Sequence, residues 1–104
     1  MPKKMKPVHP GENLREEFMK PLGLRMNRMA LDLRVLITRI ADIVHERRGI
    51  APDTAMRFGR YFKTSPAFWL NLQTRYYLEV IEGREAQQIA RDVRPLEAAV
   101  VREI

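Results

Sequence analysis

Residues 24–62 read LRMNRMALDLRVLITRIADIVHERRGIAPDTAMRFGRYF. Leu24, Met29, Leu33 and Val35 form one apolar set, and Leu36, Ile37, Ile40, Ile43 and Val44 form a second. Ala55, Phe58 and Phe62 form a third, at intervals of three and four. Such intervals gather apolar side chains on one face of a helix, so the stretch predicts three short helices in succession. Only Arg34 and Val35 separate the first from the second, which demands a sharp turn. Two short helices at a tight turn, followed by Arg47 and Arg48, form the pattern of a helix-turn-helix. A small all-α domain whose arginine pair is merely solvated is the other reading of the same pattern.

The turn matters because it holds the second helix out from the body, where it can enter the major groove of DNA. With that helix running from about Leu36 to His45, Ile40 and Ile43 face inward and lock it. Ile37, Thr38, Ala41 and Asp42 then face outward near its leading end, with Arg39 at the flank, in reach of a phosphate or a base edge. Arg47 and Arg48 follow the helix and suit phosphate contacts, which strengthen binding but carry little sequence information.

Composition narrows the function classes. The chain has 104 residues, enough for one domain, and 45% of them are hydrophobic. No apolar run approaches the length of a membrane span, and the basic N-terminus lacks the apolar segment of a secretory signal. There is no cysteine, which excludes disulfides and thiolate metal sites and is compatible with a reducing cytoplasm, the expected location. His9 and His45 are the only histidines, so neither a metal nor a cofactor is expected. The net charge of +6 is uneven: residues 1–75 carry 15 Lys and Arg against 7 Asp and Glu, residues 76–104 only 4 against 6. A basic body with an acid-leaning tail suits a binder of polyanions.

The rest of the chain supports the central stretch. Residues 1–10, with three lysines and three prolines, read as a basic extended arm in which His9 is a turn residue. Residues 11–20 predict a helix with Leu14 and Phe18 inward, ended by Pro21 and Gly23. Glu12 and Glu16 on that helix lack the nucleophile or base that acid–base chemistry would need, and a solvated helix face accounts for them. The only serine, Ser65, is best used as a helix cap before Pro66, so no enzyme is expected. Asp53 is a plausible cap for the helix over 53–62, and Gly59 within it predicts a close helix crossing. After Pro66 a helix is expected to about Glu82, with Phe68, Trp69, Leu72 and Tyr76 crowding one side. Part of this aromatic stripe is expected to join two subunits, because aromatic residues are enriched at interface centres and a two-fold dimer matches paired DNA half-sites. Gly83 is expected to break or kink the chain, and residues 84–93 to resume a helix that Pro95 stops. The expected architecture is all-α: a five-helix, lambda-repressor-like helix-turn-helix domain over 11–82 with an extra C-terminal helix and tail over 83–104.

The runs VHPGENLREEFMKPLGL, NRMALDL and TRIADIVHERRGI, then DTA-x-R-x-GRYF and SP-x-FWLNLQ, resemble the HigA family of antitoxins, within the XRE-type helix-turn-helix repressors. The resemblance covers residues 7–95, and FWLNLQ is its most discriminating part. It implies a protein that neutralises a RelE-like, ribosome-dependent mRNA interferase toxin and that binds double-stranded operator DNA as a homodimer to repress its own operon. A helix-turn-helix regulator without a toxin partner is the alternative. The resemblance assigns base reading to Ile37, Thr38 and Asp42, with Arg39 beside them, and phosphate contacts to positions near Asn27, Arg28, Arg47 and Arg48. The chain departs from the family at the presumed DNA face. Arg34 and Glu46 stand where glycine is usual, Arg25 stands where a polar cap is usual, and Leu36-Ile37 replace prolines or polar residues.

Overall fold

The computed structural model describes residues 6–97, and among these the regular structure is entirely helical. Five helices follow one another. We number as α1 the continuous helical run Pro10–Asn13, Leu14–Met19 and Lys20–Leu22, followed by α2 (Met26–Leu33), α3 (Ile37–Val44), α4 (Pro52–Phe62) and α5 (Pro66–Asp92). The expected all-α, five-helix architecture is therefore present. Residues 1–5 of the expected arm and 98–104 of the tail lie outside the described residues.

The middle of α1 is π-helical, the amide of Lys20 reaching back to the carbonyl of Arg15. Pro21 explains this. It has no amide to donate, and in an α-helical register its ring would meet the carbonyl four residues back; the wider turn before it relieves that crowding. Pro21 therefore does not end the helix; Gly23, left-handed at φ 61°, does.

Four helices stop in the same way. The amides of Leu24, Val35, Arg47 and Thr64 reach back five residues to the carbonyls of Met19, Ala30, Asp42 and Gly59, at 2.8, 3.1, 2.7 and 3.0 Å. Each such stop places one residue in the left-handed region, normally a glycine. Here those residues are Gly23, Arg34, Glu46 and Lys63, the last three at φ 59°, 63° and 60°. The positions where the family pattern has glycine thus keep the glycine conformation with a side chain attached.

The core joins all five helices: Leu14 and Met19 from α1, Met29 and Leu33 from α2, Ile40 and Ile43 from α3, Ala55 and Phe58 from α4, and Trp69 from α5. Trp69 is at its centre. Its ring lies 4.8 Å from Phe18, 5.1 Å from Phe58 and 5.9 Å from Phe62, centroid to centroid, and its indole N–H donates to Thr64 Oγ1 at 2.8 Å. This corrects one expectation. Trp69 is 0% exposed within its own protomer, so it is part of the core and cannot belong to a subunit interface. Phe68 stays at the surface, while Leu72 and Tyr76 are half-buried, Tyr76 edge-on against His9.

Three further expectations change. Asp53 does not cap α4; Ala51 occupies that position, Pro52 leads the first turn, and the Asp53 carboxylate turns to Arg39. The close approach at Gly59 is to the turn between α4 and α5, where a Cβ would stand 2.9 Å from the carbonyl oxygen of Thr64, rather than to a crossing helix. Gly83 does not break α5, which runs through it to Asp92, so the extra C-terminal helix is an extension of the fifth. Its last turns project beyond the body, and the molecule measures 55 × 32 × 24 Å.

Candidate nucleic-acid interface

Helix α3 is eight residues long, too short to persist by itself in water. Ile40, Ile43 and Val44 seat it in the core, and α1 finishes its C-terminal end. Arg15 donates from Nη1 to the carbonyl of Val44 at 2.6 Å, and its Nη2 lies 3.4 Å from the Glu46 carboxylate. Gly11 sits so close that a Cβ there would stand 1.9 Å from the Ile43 carbonyl oxygen. The loop after α3 is held from the other side. Gln73 of α5 brackets Ile50, accepting its amide N–H and donating to its carbonyl oxygen at 2.9 Å. The helix is thus fixed at its inner face and its far end, and its leading end is left in solvent.

That leading end presents Leu36, Ile37 and Thr38, all exposed, with Ala41 and Asp42 one turn further on. Leu36 occupies the cap position and has no side-chain hydrogen bond to give, and Arg25 does no better at the start of α2. Arg39 is tied back. Its Nη1 lies 3.1 Å from Asp53 Oδ2 and 3.4 Å from Thr54 Oγ1. Arg47 contacts Asp42 Oδ1 through Nε and Nη2 at 3.1 and 2.9 Å, and Arg48 stands 4.0 Å from the other oxygen of the same carboxylate.

The start of α2 lies alongside. Asn27 Oδ1 accepts the amide of Arg28 at 2.9 Å, and Arg28 Nε donates to Asp32 at 2.9 Å. Asn27 and Ile37 line one shallow cleft of about 530 Å³, with Met19, Arg25, Met26 and Val44 completing it. Arg39 and Arg48 line a second, of about 290 Å³, with Gly49, Ala51, Asp53 and Thr54. Of the eight residues of the expected DNA face, Asn27 and Ile37 thus share one cleft, Arg39 and Arg48 the other, and Asp42 joins Arg47 to Arg48, while Thr38 is exposed on α3 and Arg28 pairs within α2. Sequence reasoning missed the acids that hold the basic groups at rest. Asp32 stands four residues from Arg28, a helical spacing that could have signalled it, whereas Asp42, five residues from Arg47, meets it across the left-handed turn at Glu46. Asp53, fourteen residues from Arg39, gave no such signal.

The far side of the turn is also knitted together. Arg57 Nη1 donates to the Leu33 carbonyl at 2.7 Å, and the Tyr61 hydroxyl donates to Asp32 Oδ2 at 2.5 Å. The Tyr61 hydrogen bond, aided by Arg28, holds the Asp32 carboxyl below the usual carboxylate range. Among the described residues no three His, Asp or Glu side chains converge as metal ligands would, and no helix is long and apolar enough to cross a membrane.

No protein-family model matches the chain. Individual proteins do. Virulence-associated protein I of Dichelobacter nodosus is 50% identical over 78 residues, which are 75% of this chain and 72% of that protein. The antitoxin HigA of Pseudomonas aeruginosa, solved with the higBA promoter, is 43% identical and superposes with a TM-score of 0.83 over 88% of this chain and 99% of its own. The antitoxin GraA, solved in complex with its operator, is 39% identical with a TM-score of 0.85 over 94% of this chain and 99% of its own.

Proposed function

Because the chain belongs to the HigA family of helix-turn-helix antitoxins, we propose that it binds double-stranded operator DNA through α3 as an autorepressor, and that it neutralises a toxin encoded beside it. The observation that carries the DNA half is the solvent-facing leading end of α3, with Asn27 sharing a cleft with Ile37 and with Arg47 and Arg48 gathered on Asp42. On this reading Ile37, Thr38 and Asp42 read bases while Asn27, Arg28, Arg47 and Arg48 hold phosphates, the division of labour that docking into a major groove requires. Phosphates would replace Asp42 and Asp32 as partners of these arginines. The exchange is cheap, because exposed ion pairs contribute at most about 1 kcal/mol.

On this reading the protein acts as a homodimer, placing two copies of α3 in successive major grooves on one face of the duplex, which requires a palindromic operator. Phe68 and Leu72 remain suitable interface residues, and Leu78, Ile81 and Ile89 further along α5 are exposed as well. The toxin is a RelE-like mRNA interferase, and the protein works in the cytoplasm, where both partners are found.

Fluorescence anisotropy of the full chain on its own upstream duplex, at two salt concentrations and against a scrambled duplex, tests the DNA half. Selective binding whose logarithm falls by about 0.9 per phosphate contact and per log unit of salt is the expected result. Equal affinity for both duplexes would sink it. Co-expression with the neighbouring small basic reading frame tests the toxin half: relief of growth arrest together with co-elution is expected, and a chain that relieves nothing is a regulator only.

A further inference from the structure

The leading end of α3 has an unusual chemistry for a surface that reads bases. Leu36 is 77% exposed and Ile37 is 46% exposed, and neither can give or accept a hydrogen bond. In the free chain the polar neighbours that could also read a base edge are paired. Arg39 is held between Asp53 and Thr54 at 3.1 and 3.4 Å, and Asp42 between Arg47 at 2.9 Å and Arg48 at 4.0 Å. Among the described residues, what needs no exchange of partners on this edge is the Thr38 side chain and a run of methyl groups from Leu36, Ile37 and the partly exposed Ala41. Ile37 also forms part of the apolar cleft with Met19, Met26 and Val44, which fixes where its free methyl groups stand.

In a major groove only one feature of the base pairs matches such an edge, the methyl group on C5 of a pyrimidine. We propose that Ile37, assisted by Leu36, reads the 5-methyl group of a pyrimidine in each operator half-site. Thymine carries this group in ordinary DNA, and 5-methylcytosine presents it at the same place. The inference rests on the DNA-binding reading above and adds the chemical class of base selected. It also explains why a reading helix tolerates two large aliphatic side chains where polar ones would serve hydrogen-bond readout: on a dry thymine edge they bury apolar surface that is otherwise left in water.

The test starts from duplexes selected by the full chain out of a random pool. Each half-site thymine is then replaced singly by deoxyuridine, which removes the methyl and nothing else. Binding is expected to weaken about fourfold at one or two positions per half-site, the value of one methyl group removed from water. Ile37→Ala should abolish that sensitivity at one position while leaving the melting temperature unchanged, and Leu36→Ala serves as a second variant at the same edge. Comparing cytosine with 5-methylcytosine at the sensitive position separates the two sources. A gain with the methylated base means that the methyl alone is read, and equality confines the recognition to thymine. If deoxyuridine is as good as thymine everywhere, or the penalty survives in both variants, the inference fails while selective DNA binding stands. If no duplex is selected at all, the DNA-binding reading falls and takes the inference with it.

Discussion

Lys63 shows what a single residue can cost. It sits at φ 60° in the left-handed turn that ends α4, and it makes no ion pair among the described residues. A side chain in that conformation costs about 1–2 kcal/mol. Glycine there would recover most of this, less the entropy that glycine loses on folding, about 0.5–1 kcal/mol. Lys63→Gly is therefore expected to stabilise the fold by roughly 0.5–1 kcal/mol, readable as a rise in the urea midpoint at unchanged slope. A lower midpoint would show that the side chain does something the geometry does not reveal. Residue-scale features of this kind were partly legible. The family pattern marked Arg34 and Glu46 as glycine positions, and both are left-handed, whereas Lys63 carried no mark because the Thr64–Ser65–Pro66 start of α5 drew attention to the next helix instead.

At the scale of elements, the helices were readable because apolar spacing and end signals agree. Ser65 accepts the Phe68 amide at 3.1 Å and Pro66 follows it, as the sequence suggested. Missed features were those decided by distant partners. His9 looked like a turn residue but is the cap of α1, its Nδ1 accepting the Gly11 amide at 2.9 Å while its ring is buried against Tyr76. Nothing local announces that, since the burial comes from α5. It has a consequence in pH. Burial, opposed by the Glu46 carboxylate and reinforced by Arg15, pushes the His9 imidazole below its ordinary value. The folded chain thus binds this proton less readily than the unfolded chain does. The contribution is complete above about pH 6.5, the ordinary histidine value, and is lost as pH falls through the lower folded value. Melting temperature is expected to decline on acidification below about pH 6.5, before the carboxylates titrate, and His9→Asn, which keeps a capping oxygen, should flatten that decline. An unchanged profile in the variant would assign the decline to other groups.

At the scale of the whole molecule, the distal half of α5 stands apart from the body. Leu78 is 56% exposed, Ile81 38% and Ile89 46%, an apolar row on a helix that otherwise carries charge. The aromatic stripe that the sequence offers as a joining surface includes one residue the core claims, because composition alone cannot say which large side chains go inward. Trp69 went inward, and the uncovered row lies beyond it. If the dimer forms along α5, Ile81→Glu should turn the protein into a monomer by sedimentation at micromolar concentration without changing the helical signal, since that side chain touches no core residue. A dimer that survives the charge forms elsewhere.

The clasp between the beginning of the chain and the end of α3 has a further meaning. Arg15 and Gly11 complete a helix of eight residues that nothing local could sustain. The reading surface therefore has no existence separate from the body that carries it. Opening the clasp would leave α3 too short to hold itself, so its stability is borrowed from the body. If α3 reads an operator as proposed, that reading is lost wherever the clasp is lost.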